Sequence, residues 1–122
     1  MSRSRQDLGR SGEKRAADYL KKQGYVLVET NYNTPFGEID IIARDKDVLC
    51  FIEVKTRTET RKALPRQAVN RDKQRKIIQT ASFFLKEKNL IDQRARFDVM
   101  EMVCSQGKWQ IQMIPNAFQA HP

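Results

Sequence analysis

Two short runs rich in β-branched and other apolar residues, Gly37-Glu38-Ile39-Asp40-Ile41-Ile42-Ala43 and Val48-Leu49-Cys50-Phe51-Ile52-Glu53-Val54-Lys55, are separated by only four charged residues, Arg44-Asp45-Lys46-Asp47. Such runs around a polar spacer read as a β-hairpin. With the spacer as a four-residue turn, Ala43 falls opposite Val48, Asp40 opposite Phe51 and Glu38 opposite Glu53. Side chains alternate between faces along a strand. One face then carries Ile39, Ile41, Ala43, Val48, Cys50, Ile52 and Val54, a pure core surface, and the other carries Glu38, Asp40, Phe51, Glu53 and Lys55.

Three carboxylates on one strand face repel each other, and like charges across a strand pair destabilise it. Lys55 offsets one of them. A hard divalent ion is the natural remainder, because Mg²⁺ accepts one or two carboxylates together with waters and phosphate oxygens. On this reading the acids hold metal, and Lys55, ~7 Å along the strand from Glu53, faces phosphate. The plainer reading is a solvated strand face with a Glu53–Lys55 pair. It accounts less well for acids flanking Ile39 inside a strongly apolar strand.

The spacing Asp40…Glu53-Val54-Lys55, borne on a hairpin and preceded by a helix with an acid at Glu13, resembles the PD-(D/E)XK nuclease superfamily. The ordered strings Gly37-Glu38-Ile39-Asp40, Phe51-Ile52-Glu53-Val54-Lys55-Thr56-Arg57 and Arg96-Phe97-Asp98-Val99 resemble, more narrowly, the bacterial UPF0102 (YraN-like) family of Holliday-junction-resolvase-like proteins. The likeness runs from Gly12-Glu13 to Asn116-Ala117-Phe118. It implies a restriction-endonuclease-like α/β fold and a metal site in which Asp40 and Glu53 hold Mg²⁺ (or Mn²⁺) with the Val54 carbonyl and, as an added ligand, Glu13. It also implies that Lys55 orients the attacking water or stabilises charge developing on phosphorus, with Glu38 behind the ligands. Junction resolvases act in pairs, so the resemblance raises the expectation of a homodimer.

Charge points to the same class of partner. The chain carries a net charge of +8. Between Lys55 and Lys76, nine basic residues (Lys55, Arg57, Arg61, Lys62, Arg66, Arg71, Lys73, Arg75 and Lys76) stand against Glu59 and Asp72, an excess of seven (9 − 2). A run of charge is usually a solvated face. This one abuts the acidic site, and a protein that positions a phosphodiester needs cations for the flanking backbone. Arg57, Arg61, Lys62, Arg66, Arg71, Lys73 and Lys76 are therefore the expected nucleic-acid contacts.

At 122 residues the chain reads as a single domain with residues 1–6 as a flexible basic arm. No apolar run approaches the ~20 residues of a membrane-spanning helix, so no membrane partner and a cytoplasmic setting are expected. Cys50 and Cys104 fall inside apolar strand patterns without metal-ligand spacing. The single histidine, His121, lies in the tail, which argues against His-dependent catalysis or a His-ligated zinc site.

The element order is α-β-β-β-α-β-β, a mixed central sheet flanked by helices. A helix is expected from Asp7 to Gln23 with Gly24 as its stop, a strand over Tyr25 to Glu29, and a loop from Asn31 to Phe36. After the hairpin, a second helix is expected from Pro65 to Lys88, then strands from Arg96 to Val103 and from Lys108 to Ile114. Glu13 lies beside the apolar stripe of the first helix, where it either turns to the sheet edge or pairs with nearby bases. Arg96 and Asp98 read as a structural ion pair, and Trp109 as core or edge packing. The leading function is a metal-dependent nuclease acting on DNA, with branched or structured DNA among the candidates. The alternatives are a non-cleaving nucleic-acid-binding module that assists recombination, repair or DNA uptake, and an interaction protein whose acids are structural.

Overall fold

The computed structural model describes residues 5–58 and 69–120. In chain order its elements are α1 (Arg5–Lys22), β1 (Val26–Thr34), β2 (Gly37–Asp45), β3 (Val48–Thr58), α2 (Arg71–Glu87), β4 (Ala95–Ser105) and β5 (Lys108–Phe118). The strands form one sheet in the order β1-β2-β3-β4-β5, with β3 and β4 parallel and the other pairs antiparallel. The expected α/β architecture and element order are therefore observed.

The end of α1 and the start of α2 are closed by backbone and side-chain caps. At the end of α1 the Gly24 amide bonds the Lys21 carbonyl and the Tyr25 amide reaches back to Leu20 at 2.9 Å, with Gly24 left-handed at φ 94°. This is the Schellman arrangement that glycine favours. At the start of α2, Asn70 Oδ1 accepts from the Lys73 amide at 2.9 Å. The second helix thus begins at Arg71 rather than at Pro65, which lies outside the described residues. The arm expected over residues 1–6 is helical from Arg5.

Each face of the sheet is covered by one helix. On one side Ile77, Ala81 and Phe84 of α2 pack with Tyr32, Ile39, Ile42, Leu49, Phe51 and Val99. On the other, Ala16 and Leu20 of α1 pack with Ile41, Ala43, Cys50, Ile52, Val54, Met100 and Met102. Phe84 meets Tyr32 and Phe51 edge-on, with ring centroids 5.2 and 6.0 Å apart, in the preferred geometry for aromatic pairs. Because both faces are buried, β3 reads as a continuous apolar run, as the inner strand of a two-sided sheet does.

Two expectations for the hairpin are corrected. Asp45 pairs with Val48, Ala43 with Cys50 and Ile41 with Ile52. The loop is therefore two residues, Lys46-Asp47, with Lys46 at φ 58°, and the register moves by two, which brings Asp40 rather than Glu38 opposite Glu53. The supposed pure core face also breaks. Ile39 lies with the α2-side cluster, while Ile41 and Ala43 lie under α1. Across from Asp40 in the β1 register, Asn31 adopts a left-handed φ of 51°. At these two residues both strands change face together. The loop expected over Asn31 to Phe36 is largely strand, closed at Pro35-Phe36.

Candidate active site

Asp40 sits at that change of face, and its carboxylate substitutes for the missing strand pairing. The β2–β3 ladder ends at Ile41–Ile52. Beyond it the Val54 amide donates to Asp40 Oδ2 at 2.8 Å. Asp40 also contacts the Glu53 carboxyl group on one side and the Glu13 carboxyl group, from α1, on the other. The roll of the hairpin lets one side chain reach acids on opposite faces of the sheet.

The electrostatics follow from this crowding. Burial first, and then the neighbouring Glu53 charge and hydrogen bond, push the Asp40 carboxyl up to about 7, against the opposing pull of the Val54 amide and Lys73. Glu13 is raised as well, by burial and then by Asp40 and Glu38. Glu38 itself is exposed at the rim, beside Asn33 of β1.

Glu53 is 7% exposed and belongs to the α2 side of β3 with Phe51 and Lys55. Lys73 Nζ lies 3.2 Å from Glu53 Oε1. The Asn70 cap positions Lys73 in the first turn of α2, and from there its amine also meets that of Lys55. Burial and then the hydrogen bond and charge of Lys73 hold Lys55 below the usual lysine range. Lys73 is held above it: burial pulls it down, but the hydrogen bond to Lys55 and the Glu53 charge outweigh that. The sequence signals Lys73 only as a surface cation, whereas the fold joins it to Glu53 and Lys55.

One residue near this group escapes sequence reasoning altogether. Glu101, paired with Lys55 across the parallel β3–β4 ladder, is 4% exposed and takes Arg57 Nε at 2.6 Å. Among the described residues its Oε2 has no partner. Burial raises its carboxyl, while Arg57 and Lys55 oppose that. Arg57, expected as a DNA contact, is thus engaged with Glu101. The only signal for Glu101 in the sequence is an acid between two methionines of an apolar strand.

Of the other expected DNA contacts, Arg71 is exposed and lines a shallow groove with Arg75 one turn on. Lys76 makes an exposed pair with Asp72 at 3.5 Å, and Arg61, Lys62 and Arg66 lie outside the described residues. Arg96 and Asp98 form the expected ion pair. Arg96 Nε donates to both Asp98 oxygens at 3.1 and 3.0 Å, and its amino groups donate to Asp45 and the Tyr25 hydroxyl. Trp109 packs against the α1-side cluster with the Arg15 guanidinium 5.5 Å from its ring centre. Cys50 and Cys104 are both free, and burial pushes the Cys50 thiol up.

No helix is long and apolar enough to cross a membrane among the described residues. Nor do three His, Cys, Asp or Glu side chains there converge as a closed metal cage. The carboxylates form a chain, Glu13 to Asp40 to Glu53, rather than a ring.

A five-stranded mixed sheet with a helix on each face, carrying an aspartate beside a Glu-x-Lys strand, defines an α/β chain of the restriction-endonuclease-like kind. The chain belongs to the uncharacterised protein family UPF0102, whose model matches residues 12–102. It is 48% identical over 122 residues to a UPF0102 protein of Desulfosudis oleivorans, covering 99% of this chain and 97% of that one. Similar relatives occur in Desulforapulum autotrophicum, 44% identical with 98% of both chains covered, and in Clostridium acetobutylicum, 41% identical with 98% of this chain and 99% of that one covered.

Proposed function

We propose that this chain is a metal-dependent nuclease that hydrolyses phosphodiester bonds in DNA. One arrangement supports the reading above all: the Asp40 and Glu53 carboxyl groups in hydrogen-bonding contact where β2 leaves β3, with Asp40 pushed up to about 7. Two carboxylates so close share one negative charge with a proton unless a cation joins them. With the Val54 carbonyl they are hard oxygen donors of the kind Mg²⁺ and Mn²⁺ accept, and two carboxylates suffice for an ion that keeps several waters. Glu13 reaches Asp40 from α1 but does not converge with both acids on one point, so the proposed donors are the two carboxylates and the Val54 carbonyl. A bound ion would polarise the phosphate and lower the pKa of a coordinated water.

The chain's own groups do the rest. Lys55 orients the attacking water or faces charge developing on the phosphate. Lys73 orients the Lys55 amine through their hydrogen bond. Arg71, Arg75 and Lys76 neutralise backbone phosphates on either side. Branched DNA is the expected form of substrate and a homodimer the expected assembly.

One observation favours the alternative of a nucleic-acid-binding module that does not cleave. Lys73 already gives Glu53 a cation at 3.2 Å, which balances part of the acid charge without an ion. Incubating the purified protein with single-stranded, duplex, nicked, flap and four-way DNA in Mg²⁺ or Mn²⁺ decides between the two. Cleavage that falls at least ~100-fold in Asp40→Ala or Glu53→Ala is the expected result. Intact DNA throughout, or variants as active as the parent, would overturn it.

A further inference from the structure

Two phenylalanines have no part in the chemistry above. Phe36, at the tip of the β1–β2 hairpin, is 48% exposed, and Phe83, in the last turns of α2, is 40% exposed. A single exposed apolar side chain needs no explanation. These two meet, with ring centroids 6.2 Å apart and planes tilted by 55°.

The hairpin tip is seated on α2. Thr34 Oγ1 accepts from the Phe36 and Gly37 amides at 3.1 and 3.3 Å and lies 3.5 Å from Thr80 Oγ1. A Cβ on Gly37 would stand 3.3 Å from Thr80 Oγ1 and 3.4 Å from Lys76 Cβ. Along α2, Lys73, Lys76, Thr80 and Phe83 follow one another at helical spacings of three and four, so they share one stripe. Lys73 stands at Glu53, and Phe83 is ten residues on, ~15 Å along the helix axis. The stripe thus starts with two lysines beside the carboxylates, passes beneath the hairpin tip at the buried Thr80 and emerges at the aromatic pair.

We propose that Phe36 and Phe83 form a stacking platform for an unpaired nucleobase of a DNA strand whose backbone follows Lys76 and Lys73 into the carboxylate site. This rests on the DNA-nuclease reading and deepens it. In a duplex the base faces are covered by their neighbours, so only an unpaired or splayed base offers one to an aromatic ring. The ~15 Å between the two ends equals about four stacked nucleotide steps at 3.4 Å. Charge complementarity argues for a nucleic acid, since beside this stripe α2 exposes Arg71 and Arg75, which line one groove, and the Lys76 amine shares only the exposed Asp72. The other exposed apolar residues of β1, Val26 and Val28, lie about eight residues or more back along the strand, roughly 26 Å or more at 3.3 Å per residue. Among the described residues these valines therefore do not extend the aromatic pair into one apolar strand face.

The test is binding in EDTA, followed by anisotropy, of a labelled single strand, a splayed fork and a plain duplex to the parent and to Phe36→Leu/Phe83→Leu. Leucine keeps apolar bulk but removes the π-face. Base stacking on aromatic side chains contributes about 1–3 kcal/mol per base, so the variant should lose roughly tenfold affinity for fork and single strand and bind duplex within about twofold of the parent. A parent that binds none of the three removes the DNA reading and the platform together. A parent that binds, with a variant equal to it on all three or equally weakened on all three, removes the platform alone. Sedimentation of both proteins adds one further outcome: a parent dimer that becomes a monomer in the variant would assign the pair to a second copy and overturn the proposal.

Discussion

Asp40 Oδ2 accepts the Val54 amide at 2.8 Å, at the residue where β1 and β2 exchange faces. That bond ties the acid to the strand that carries Glu53 and Lys55. It also separates two roles of one side chain, as acceptor for a backbone amide and as bearer of charge, and substitutions can address them one at a time.

Asp40→Asn keeps the acceptor and deletes the charge. The Asp40 carboxyl is raised from 3.8 to about 7, so the folded state binds its proton more tightly than the unfolded chain. Its contribution to stability is complete below about pH 4 and is lost as pH rises through about 7. In EDTA the parent should therefore lose melting temperature across that window, and Asp40→Asn should lose less of it. The variant should melt several degrees higher at pH 8 and level with the parent at pH 4. Asp40→Ala, which orphans the Val54 amide, should instead melt lower by the equivalent of about 1–3 kcal/mol. An Asn variant that is less stable at pH 8 would show that the charge is held by a structural partner.

Lys73→Met tests the internal cation. Breaking a buried ion pair costs about 3–5 kcal/mol, and the partial exposure of Lys73 lowers this to roughly 1–3. Glu53 is left buried and unpaired, so a divalent ion no longer competes with an ammonium group there. Mn²⁺ should then raise the melting temperature of the variant by more than that of the parent. Equal melting in EDTA, or a variant indifferent to Mn²⁺, would remove Lys73 from the site.

Asp98→Ala serves as the contrasting case. Asp98 is fully buried and accepts from Arg96 and from the Asn116 amide at 2.8 Å. It should be among the more damaging substitutions, about 3–5 kcal/mol, by leaving the Arg96 Nε–H and the Asn116 amide without their acceptor. Any stabilisation by Mn²⁺ should match the parent's, since Asp98 neighbours Ile52 and faces α1 rather than Glu53. A variant of normal stability that had lost the metal response would place Asp98 in the functional site instead.

The acids of this site were legible in the sequence because carboxylates in apolar strands are rare, and the faces were nearly right because a register error of two residues preserves parity. The turn is shorter than its run of polar residues suggests. Arg44 and Asp45 are polar, yet they pair within the ladder, and only Lys46-Asp47 turn. The exchange of faces at Asn31 and Asp40 was not legible, because a left-handed asparagine inside a strand depends on what each side packs against. Asn70 caps Lys73 through a spacing present in the sequence, but Pro65 competed for the same start. The contact between Lys73 and Glu53 joins residues twenty apart, and no local pattern announces it.

Gly12 tests how closely α1 is held against the sheet. A Cβ there would collide with Thr56 Cγ2 and lie 3.5 Å from the indole of Trp109, whereas a Cβ on Gly9 in the same helix meets nothing within 4 Å. Replacing glycine by alanine inside a helix ordinarily stabilises by up to about 1 kcal/mol. Gly9→Ala should show that gain. At Gly12 overpacking against β3, typically about 1–3 kcal/mol, opposes it, so Gly12→Ala should be destabilising and should shift the emission of Trp109, the only tryptophan. Thr56→Ser removes the obstructing methyl group. In that background Gly12→Ala should recover towards neutrality, a coupling that a double-mutant cycle reads directly. Melts of the parent and the four variants, followed by Trp109 fluorescence, give the answer, and a Gly12→Ala protein more stable than its parent in both backgrounds would mean that α1 does not press on Thr56.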